Sequence, residues 1–308
     1  MSEVISEPVT LVTEDAYPLA AHWWGQDGLS PAATRGVVVI NPATAVKASY
    51  YHRYARFLAA HGYRVLSYDY RGIGASRQGS LRDWRHITKM DWGRFDCEAA
   101  LATAVRQYPD LPLHVVAHSI GGMTVGLAPS NHHVLRCLSV GAQFAYWPDY
   151  ASTSRLSMWF RWHVTMPVLT RLLGYFPAKV MGWHEDLPAG AAYEWAFRGK
   201  RLCVPDSVAP DVLSNFKAMS GDILAIDISD DAFGTPQAVN RLLAYFENAR
   251  RHRLSITPAS VGKTSIGHFA YFNEKFRDTL WQDSLHWLSE GWIPERPLEP
   301  FNAKPDLQ

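Results

Sequence analysis

Apolar and polar positions along the chain predict strands that alternate with helices. Apolar runs, such as GVVVI at 36–40 and ILAIDI at 223–228, which is interrupted only by Asp227, are typical of strands buried on both faces. Strands are predicted at residues 9–12, 20–24, 36–40, 64–70, 113–116, 135–140, 223–228 and 252–256, the first two as a hairpin. Helices are predicted at residues 50–61, 92–108, 121–127, 237–246 and 276–289. This alternation implies an α/β fold in which helices cover both faces of a mostly parallel sheet.

One long segment interrupts the alternation. Residues 144–219 exceed an ordinary strand–helix connection, so we expect a helical cap inserted into a core of residues 1–143 and 220–293. The proline-rich tail, residues 294–308, is expected to be extended or loosely packed.

The predicted cap is rich in aromatic residues, and three tryptophans in it are candidates for binding an apolar substrate group: Trp147, Trp159 and Trp162. Alternatively, these rings only hold the cap to the core. A third interpretation, contact with a lipid surface, is disfavoured because Arg161 and Pro167 interrupt the only candidate helix.

Composition narrows the class of protein. The 308 residues are 47% hydrophobic and 19% charged, and the formal net charge is +1, so no strong field would attract nucleic acid. Cys97, Cys137 and Cys203 are odd in number and form no C-x-x-C pair, which indicates reduced thiols in a cytoplasmic protein. The start, MSEVISEP, lacks a basic segment followed by an apolar one, which argues against a secretory signal. We expect no cofactor, no metal site and no stable membrane insertion; the oligomeric state stays open.

The segment AHSIG at residues 117–121 joins a predicted strand to a predicted helix. A serine with a small residue two positions before it and a glycine two positions after it fits a nucleophile elbow, a tight turn that exposes the serine oxygen. Ala117 stands where the pattern usually has glycine. Ser119 is therefore the candidate nucleophile, and His118 is interpreted as a structural residue that packs inside the fold.

Several motifs in order along the chain carry a resemblance to a known family. They are DYRGIGAS at residues 69–76, HSIGG at 118–122, SDDAFGTP at 229–236 and IGHFAYF at 266–272. With these motifs the chain resembles the α/β-hydrolase superfamily, and more narrowly bacterial hydrolases near the serine aminopeptidase and monoglyceride-lipase-like branch. The resemblance extends from about residue 5 to 292, apart from the insertion.

The resemblance implies a catalytic triad in the order serine, acid, histidine. Ser119 would be the nucleophile, and His268 in the Gly-His-Phe segment would be its base. For the acid, Asp231 is preferred to Asp230, which would then face solvent or hold the loop; Asp227, inside the strand, is a weaker candidate. The acid would hold the imidazole in the right tautomer.

An oxyanion hole needs two N–H donors. One is expected from the backbone of Ile120, directly after the nucleophile. The other is expected from the turn after the 36–40 strand, where Pro42 has no N–H, so that Ala43 or else Thr44 would donate. The side chain of Asn41 or of Thr44 would assist.

These observations predict a serine hydrolase that acts through an acyl-enzyme, on a small-molecule carboxylic ester with an apolar portion. An acyltransferase or a carbon–carbon bond hydrolase would use the same serine. A ligand-binding protein without catalysis on a hydrolase fold is the alternative from another class, because fold does not fix function.

Overall fold

A nine-stranded sheet forms the centre of the molecule. The computed structural model describes residues 3–204 and 210–301. The strands of this sheet are β1 Val4–Val12, β2 Pro18–Gln26, β3 Gly36–Asn41, β4 Tyr63–Tyr68, β5 Leu113–His118, β6 Val134–Val140, β9 Asp222–Ile228, β10 Arg250–Ile256 and β11 Glu299–Pro300. A separate ribbon consists of β7 Tyr175–Phe176 and β8 Leu187–Pro188.

The strand order is β1-β2-β4-β3-β5-β6-β9-β10-β11. Strands β4, β3, β5, β6, β9 and β10 run parallel to one another, whereas β1, β2 and β11 pair antiparallel at the two edges. The predicted α/β class with a mostly parallel sheet is thus confirmed. In such a sheet the crossovers bring the carboxyl ends of neighbouring strands to one edge, where ligands bind.

Helices complete the alternation. They are α1 His52–Ala60, α2 Lys89–Asp91, α3 Glu98–Gln107, α4 Ile120–Leu127, α5 Arg155–Phe160, α6 Met166–Leu173, α7 Ala189–Ala196, α8 Ser214–Ala218, α9 Pro236–Leu243 and α10 Leu280–Glu290. Two π-helical segments, Trp92–Cys97 and Arg161–Thr165, join α2 to α3 and α5 to α6.

The buried strands divide their side chains between two apolar layers. In β3, Val37 and Val39 join one cluster, whereas Val38 and Ile40 join the other. Side chains of a strand point alternately to opposite faces, so a strand buried on both faces must be apolar at every position. This is why the GVVVI run was readable as a central strand.

Several element ends differ from the sequence-based expectation; β1, for example, begins at Val4 and not at residue 9. Helix α9 ends at Leu243 and not at residue 246, and α10 begins at Leu280 because the segment Glu274–Phe276 is a 3₁₀ turn. In the tail, β11 pairs with His252 and Arg253 of β10, so this part of the segment adds to the sheet edge. Residues 302–308 of the predicted tail lie outside the described residues.

The inserted segment between β6 and β9 carries α5 to α8 and the β7–β8 ribbon. Glu194 of α7 ties it to the core: its carboxylate accepts the backbone N–H groups of Lys89 (2.7 Å) and Met90 (3.1 Å) at the start of α2. A second tie joins Asp149 to the Arg241 guanidinium of α9 (Nη2 to Oδ1, 2.9 Å). Residues 205–209 of the predicted cap lie outside the described residues. Within residues 3–204 and 210–301, every helix is too short or too polar to cross a bilayer.

Candidate active site

Ser119 sits in a strained turn between β5 and α4. Its backbone has φ 54° and ψ −116°, in the region that side chains other than glycine rarely adopt. A Cβ added at Gly121 would lie 2.5 Å from the carbonyl oxygen of Asn41, so the position accepts only glycine. Ala117 has no exposed surface. The surrounding fold therefore leaves room only for small residues at these two positions of the motif.

His268 and Asp231 form a buried pair beside this turn. The imidazole Nδ1 lies 2.7 Å from Oδ2 of Asp231. Because a carboxylate only accepts hydrogen bonds, Nδ1 carries the proton and Nε2 is left with the lone pair. Gly141 packs against the pair, and a Cβ there would lie 3.0 Å from the carboxylate and 3.3 Å from Nδ1.

The charge of Asp231 is stabilised by its neighbours. Burial alone would raise the pKa of this carboxyl, but His268 and the backbone N–H groups of Phe233 and Gly234 outweigh it and lower the pKa. The Phe233 N–H donates to Oδ1 at 2.8 Å. An ionised carboxylate at Nδ1 is what an imidazole base requires in order to become positively charged during a reaction.

The other two candidate acids have different partners. Asp230 accepts the backbone N–H groups of Ile266 (2.9 Å) and Gly267 (3.0 Å), which lie just before His268. Asp227 in β9 pairs with Arg253 (2.9 Å) and Ser255 (2.8 Å) of β10. The geometry therefore places Asp231 against His268, while Asp230 holds the loop.

His118 takes part in a buried hydrogen-bond chain. Its Nε2 lies 2.8 Å from the carbonyl oxygen of His268, which can only accept, so Nε2 carries the proton. Burial lowers the pKa of His118 to about 3, so the ring is neutral and Nδ1 is an acceptor. The Tyr51 hydroxyl, 2.7 Å from Nδ1, donates to it, and in turn accepts the N–H of Ala43 at 2.9 Å. We call this chain, Ala43 to Tyr51 to His118 to the His268 carbonyl, the relay.

The relay changes the expectation for the oxyanion hole. Ala43 was expected to donate its N–H to the oxyanion, but in the structure this N–H donates to the Tyr51 hydroxyl. The Asn41 side chain was expected to assist the oxyanion hole. Its amide instead donates to the Gly121 carbonyl and the Thr124 hydroxyl of α4, both at 3.3 Å. Thr44 lines the cavity beside Ser119.

A cavity of about 370 Å³ opens over Ser119 and His268. Its walls combine polar residues with apolar side chains from both the core and the cap: Ala43, Thr44, Ser119, Gln143, Arg161, Met181, Gly182, Trp183, His184, Trp195, Phe233, His268 and Phe269. The cavity is large enough for a small organic substrate and predominantly apolar.

The three tryptophans expected to bind substrate are not in this wall. Trp162 is 1% exposed and stacks under Trp195 with ring centroids 4.7 Å apart, so it supports the wall from behind. Trp159 points outward and is 37% exposed, and Trp147 packs at the edge of His163. Trp183 and Trp195 take the wall positions. Sequence alone could not separate these rings, since all five share one aromatic-rich segment.

Sequence reasoning also missed Tyr51 and Arg161. Tyr51 precedes α1 and meets His118 from 67 residues away, so no local pattern reports the contact. Arg161 was noted only as a helix interruption; the π-helical turn that begins there places it at the cavity.

Comparison with known proteins gives a match to a family model over part of the chain and a shared fold. The family model described as serine aminopeptidase, S33 matches residues 32–179. The matched range contains Ser119, whereas Asp231 and His268 lie beyond it. No curated protein matches the chain in sequence.

Solved structures with the same architecture include two esterases. One, from Pyrococcus furiosus, is 15% identical and has a TM-score of 0.58, with 94% of this chain and 92% of that chain covered. The other, from Exiguobacterium antarcticum, is 13% identical, with a TM-score of 0.56 and coverage of 92% and 100%. A hypothetical protein from Pseudomonas aeruginosa is 14% identical, with a TM-score of 0.61 and coverage of 94% of each chain. At such low identity these likenesses establish the fold alone, and they agree with the family match.

Proposed function

We propose that this chain, an α/β hydrolase by fold and by its family match, is a serine hydrolase that cleaves carboxylic esters with an apolar portion. The observation that carries the proposal is the His268–Asp231 pair at 2.7 Å, which opens onto the same cavity as Ser119 in its strained turn. The pair supplies a base with its lone pair on Nε2, and the turn supplies an exposed hydroxyl.

The proposed reaction has two halves. Ser119 Oγ attacks the ester carbonyl carbon while its proton passes to Nε2 of His268. The imidazolium then gives that proton to the departing alcohol oxygen, which leaves the acyl group on Ser119. Water adds to the acyl-enzyme with His268 again taking a proton, and the acid departs as Ser119 regains its hydrogen. Asp231 stays ionised throughout and stabilises the transient imidazolium.

Two backbone N–H groups are proposed to stabilise the oxyanion, those of Ile120 and Ala43. Tyr51 occupies the Ala43 N–H in the resting site. A hydrogen bond to an anion is roughly twice as strong as one between neutral groups, so a developing oxyanion would displace or share this donor. Such exchange favours the transition state over the neutral ester, which is the preference that catalysis requires.

The apolar walls support the choice of substrate. Met181, Trp183, Trp195 and Phe233 border the cavity with apolar surface, which would stabilise an apolar acyl or alcohol group by its removal from water. An ester is preferred to an amide because its alcohol leaves with less assistance.

A fluorophosphonate probe tests the proposal. We expect the wild-type protein to form a covalent adduct at Ser119, located by mass spectrometry of the peptides. Ser119→Ala should abolish the adduct and His268→Ala should weaken it strongly, because an unactivated hydroxyl reacts slowly. Ser157→Ala, in an exposed turn of α5, is the matched control and should label like the wild type.

Screening with 4-nitrophenyl esters follows from successful labelling. Hydrolysis lost in Ser119→Ala would support the esterase. A well-folded protein that neither labels nor hydrolyses any ester would overturn the proposal in favour of a non-catalytic binding protein. Product analysis in the presence of alcohols separates hydrolysis from acyl transfer.

A further inference from the structure

We propose that Arg161 forms an anion subsite in the cavity, so that the preferred substrate is an apolar ester that also carries a carboxylate or phosphate group away from the scissile bond. This inference rests on the proposed function, because it concerns what the same cavity selects. It adds a charged group to a substrate for which the cavity walls alone suggest only an apolar group.

The residues that line the cavity carry a single permanent charge. Of these thirteen residues, Arg161 is the one Lys or Arg, and none is Asp or Glu. Burial and the charge of Lys47 lower the pKa of His184, so that ring is neutral near pH 7. Arg161, an exposed residue, therefore brings a positive charge to the edge of a largely apolar cavity whose lining contains no carboxylate.

Arg161 also has no ionic partner among the residues that the structure describes. Within the described parts of the chain, no carboxylate lies in ion-pair distance of its guanidinium, whose recorded contact is the ring of the adjacent Trp162 at 5.7 Å. Glu185, a buried acid on the neighbouring segment, is already shared by Lys47 (3.4 Å) and Lys179 (2.9 Å). A substrate anion would meet an uncommitted cation.

A local irregularity of the backbone places Arg161 at the cavity. It begins the π-helical segment Arg161–Thr165, in which the N–H of Met166 donates to the Arg161 carbonyl. Such a turn inserts one residue into the helix and redirects the side chains at that point, and π turns recur at functional sites. The planar fork of arginine suits a carboxylate or phosphate better than the point charge of lysine does.

Paired substrates test the subsite. We would measure kcat/KM for the mono-4-nitrophenyl ester of octanedioic acid and for 4-nitrophenyl octanoate, which match in chain length and differ in the terminal carboxylate. The wild type should prefer the half-ester by about tenfold or more, the usual worth of a charge-assisted hydrogen bond. Half-esters of shorter diacids would then report the distance from Ser119 to the subsite.

Variants separate charge from packing. Arg161→Met should remove the preference, and Arg161→Lys should retain part of it. Arg171→Met, on the exposed side of α6, should leave the preference and both rates unchanged. Rising salt should weaken the preference of the wild type because exposed charges are screened. Equal losses for both esters in Arg161→Met would overturn the inference, since Arg161 would then only support the wall.

A binding measurement keeps the inference testable even if the esterase proposal fails. Quenching of tryptophan fluorescence in Ser119→Ala would report occupancy, because Trp183 and Trp195 line the cavity. The monomethyl ester of octanedioic acid should bind more tightly than the dimethyl ester, and Arg161→Met should equalise them. Octyl phosphate tested against octanoate shows which anion is preferred. Equal affinity of mono- and dimethyl esters in the unaltered cavity would refute the subsite, with or without catalysis.

Discussion

Two parts of the cavity are held in place by different forces: the floor, which consists of Ser119, the relay, Asp230 and Asp231, and the cap. In the floor, the polar groups of the relay and of the two aspartates are joined by hydrogen bonds. In the cap, Trp162 and Trp195 stack at 4.7 Å, and the buried indole N–H of Trp162 has no hydrogen-bond partner among the described residues. The floor is fixed by directional bonds, whose geometry tolerates little change, and the cap by apolar area, which many arrangements can supply.

The largest contrast concerns two neighbouring carboxylates of the floor. Asp231→Asn should lower kcat by about 10,000-fold, because an amide at this place favours the wrong imidazole tautomer. Asp230→Asn keeps an acceptor for only one of the two loop N–H groups, so the unfolding free energy should fall by about 1–2 kcal/mol, while kcat should fall no more than about tenfold. Rates on a 4-nitrophenyl ester and urea unfolding measure both. The reverse order of effects would assign the catalytic role to Asp230.

Acid should destabilise the core, in which His114 and His118 of β5 are buried, more than the cap. Burial lowers the pKa of His118 and of His114 to about 3, the latter helped by Arg136. Between pH 6.5 and 3 the unfolded chain takes up these protons and the folded chain does not, so the unfolding free energy falls as pH falls. Each histidine contributes a slope of about 1.4 kcal/mol per pH unit.

His114→Leu removes one of these titrations and should flatten the slope by that amount between pH 6 and 4, as measured by urea unfolding. His163→Leu is the comparison in the cap. Its pKa is lowered as well, but the ring is only half-buried, so its effect on the slope should be smaller. Similar slopes for both variants would contradict this contrast between core and cap.

Breaking the relay tests how the floor is ordered. Tyr51→Phe leaves the Ala43 N–H and Nδ1 of His118 buried without their partner, which should lower the unfolding free energy by about 2–4 kcal/mol. We expect kcat to fall about tenfold with KM little changed, because the reacting groups lose their alignment. A higher kcat would instead show that Tyr51 withholds the Ala43 donor from the oxyanion.

The smallest effect is expected in the cap. Trp162→Phe keeps an aromatic ring under Trp195 and removes an N–H that has no partner, so the unfolding free energy should fall by about 1–2 kcal/mol, the cost of lost area. The effect on kcat/KM should be less than threefold. A loss as large as that of Tyr51→Phe would mean that the cap is ordered as strictly as the floor.

The sequence predicted the parts that local patterns encode. Apolar runs placed the parallel strands, and the spacing around Ser119 placed the turn, because both depend on neighbouring residues. Asp231 and His268 followed from motif order and strand position. The relay was not predictable, since Tyr51 and His118 meet only in the folded chain. The wall positions of Trp183 and Trp195 depend on how the cap helices rotate, which no residue pattern in that segment reveals.

The hydrogen bonds from Ile266 and Gly267 to Asp230 affect how the connection at residues 257–265 can be altered. Between the end of β10 at Ile256 and residue Ile266, the chain passes through a short 3₁₀ turn to residues 262–265, which are exposed. Because Asp230 anchors the two residues before His268, the histidine takes its position from the end of β9 and not from this connection. Residues inserted there would lengthen the connection at a small entropic cost without moving His268, which makes it a suitable place to graft a tag or a reporter peptide.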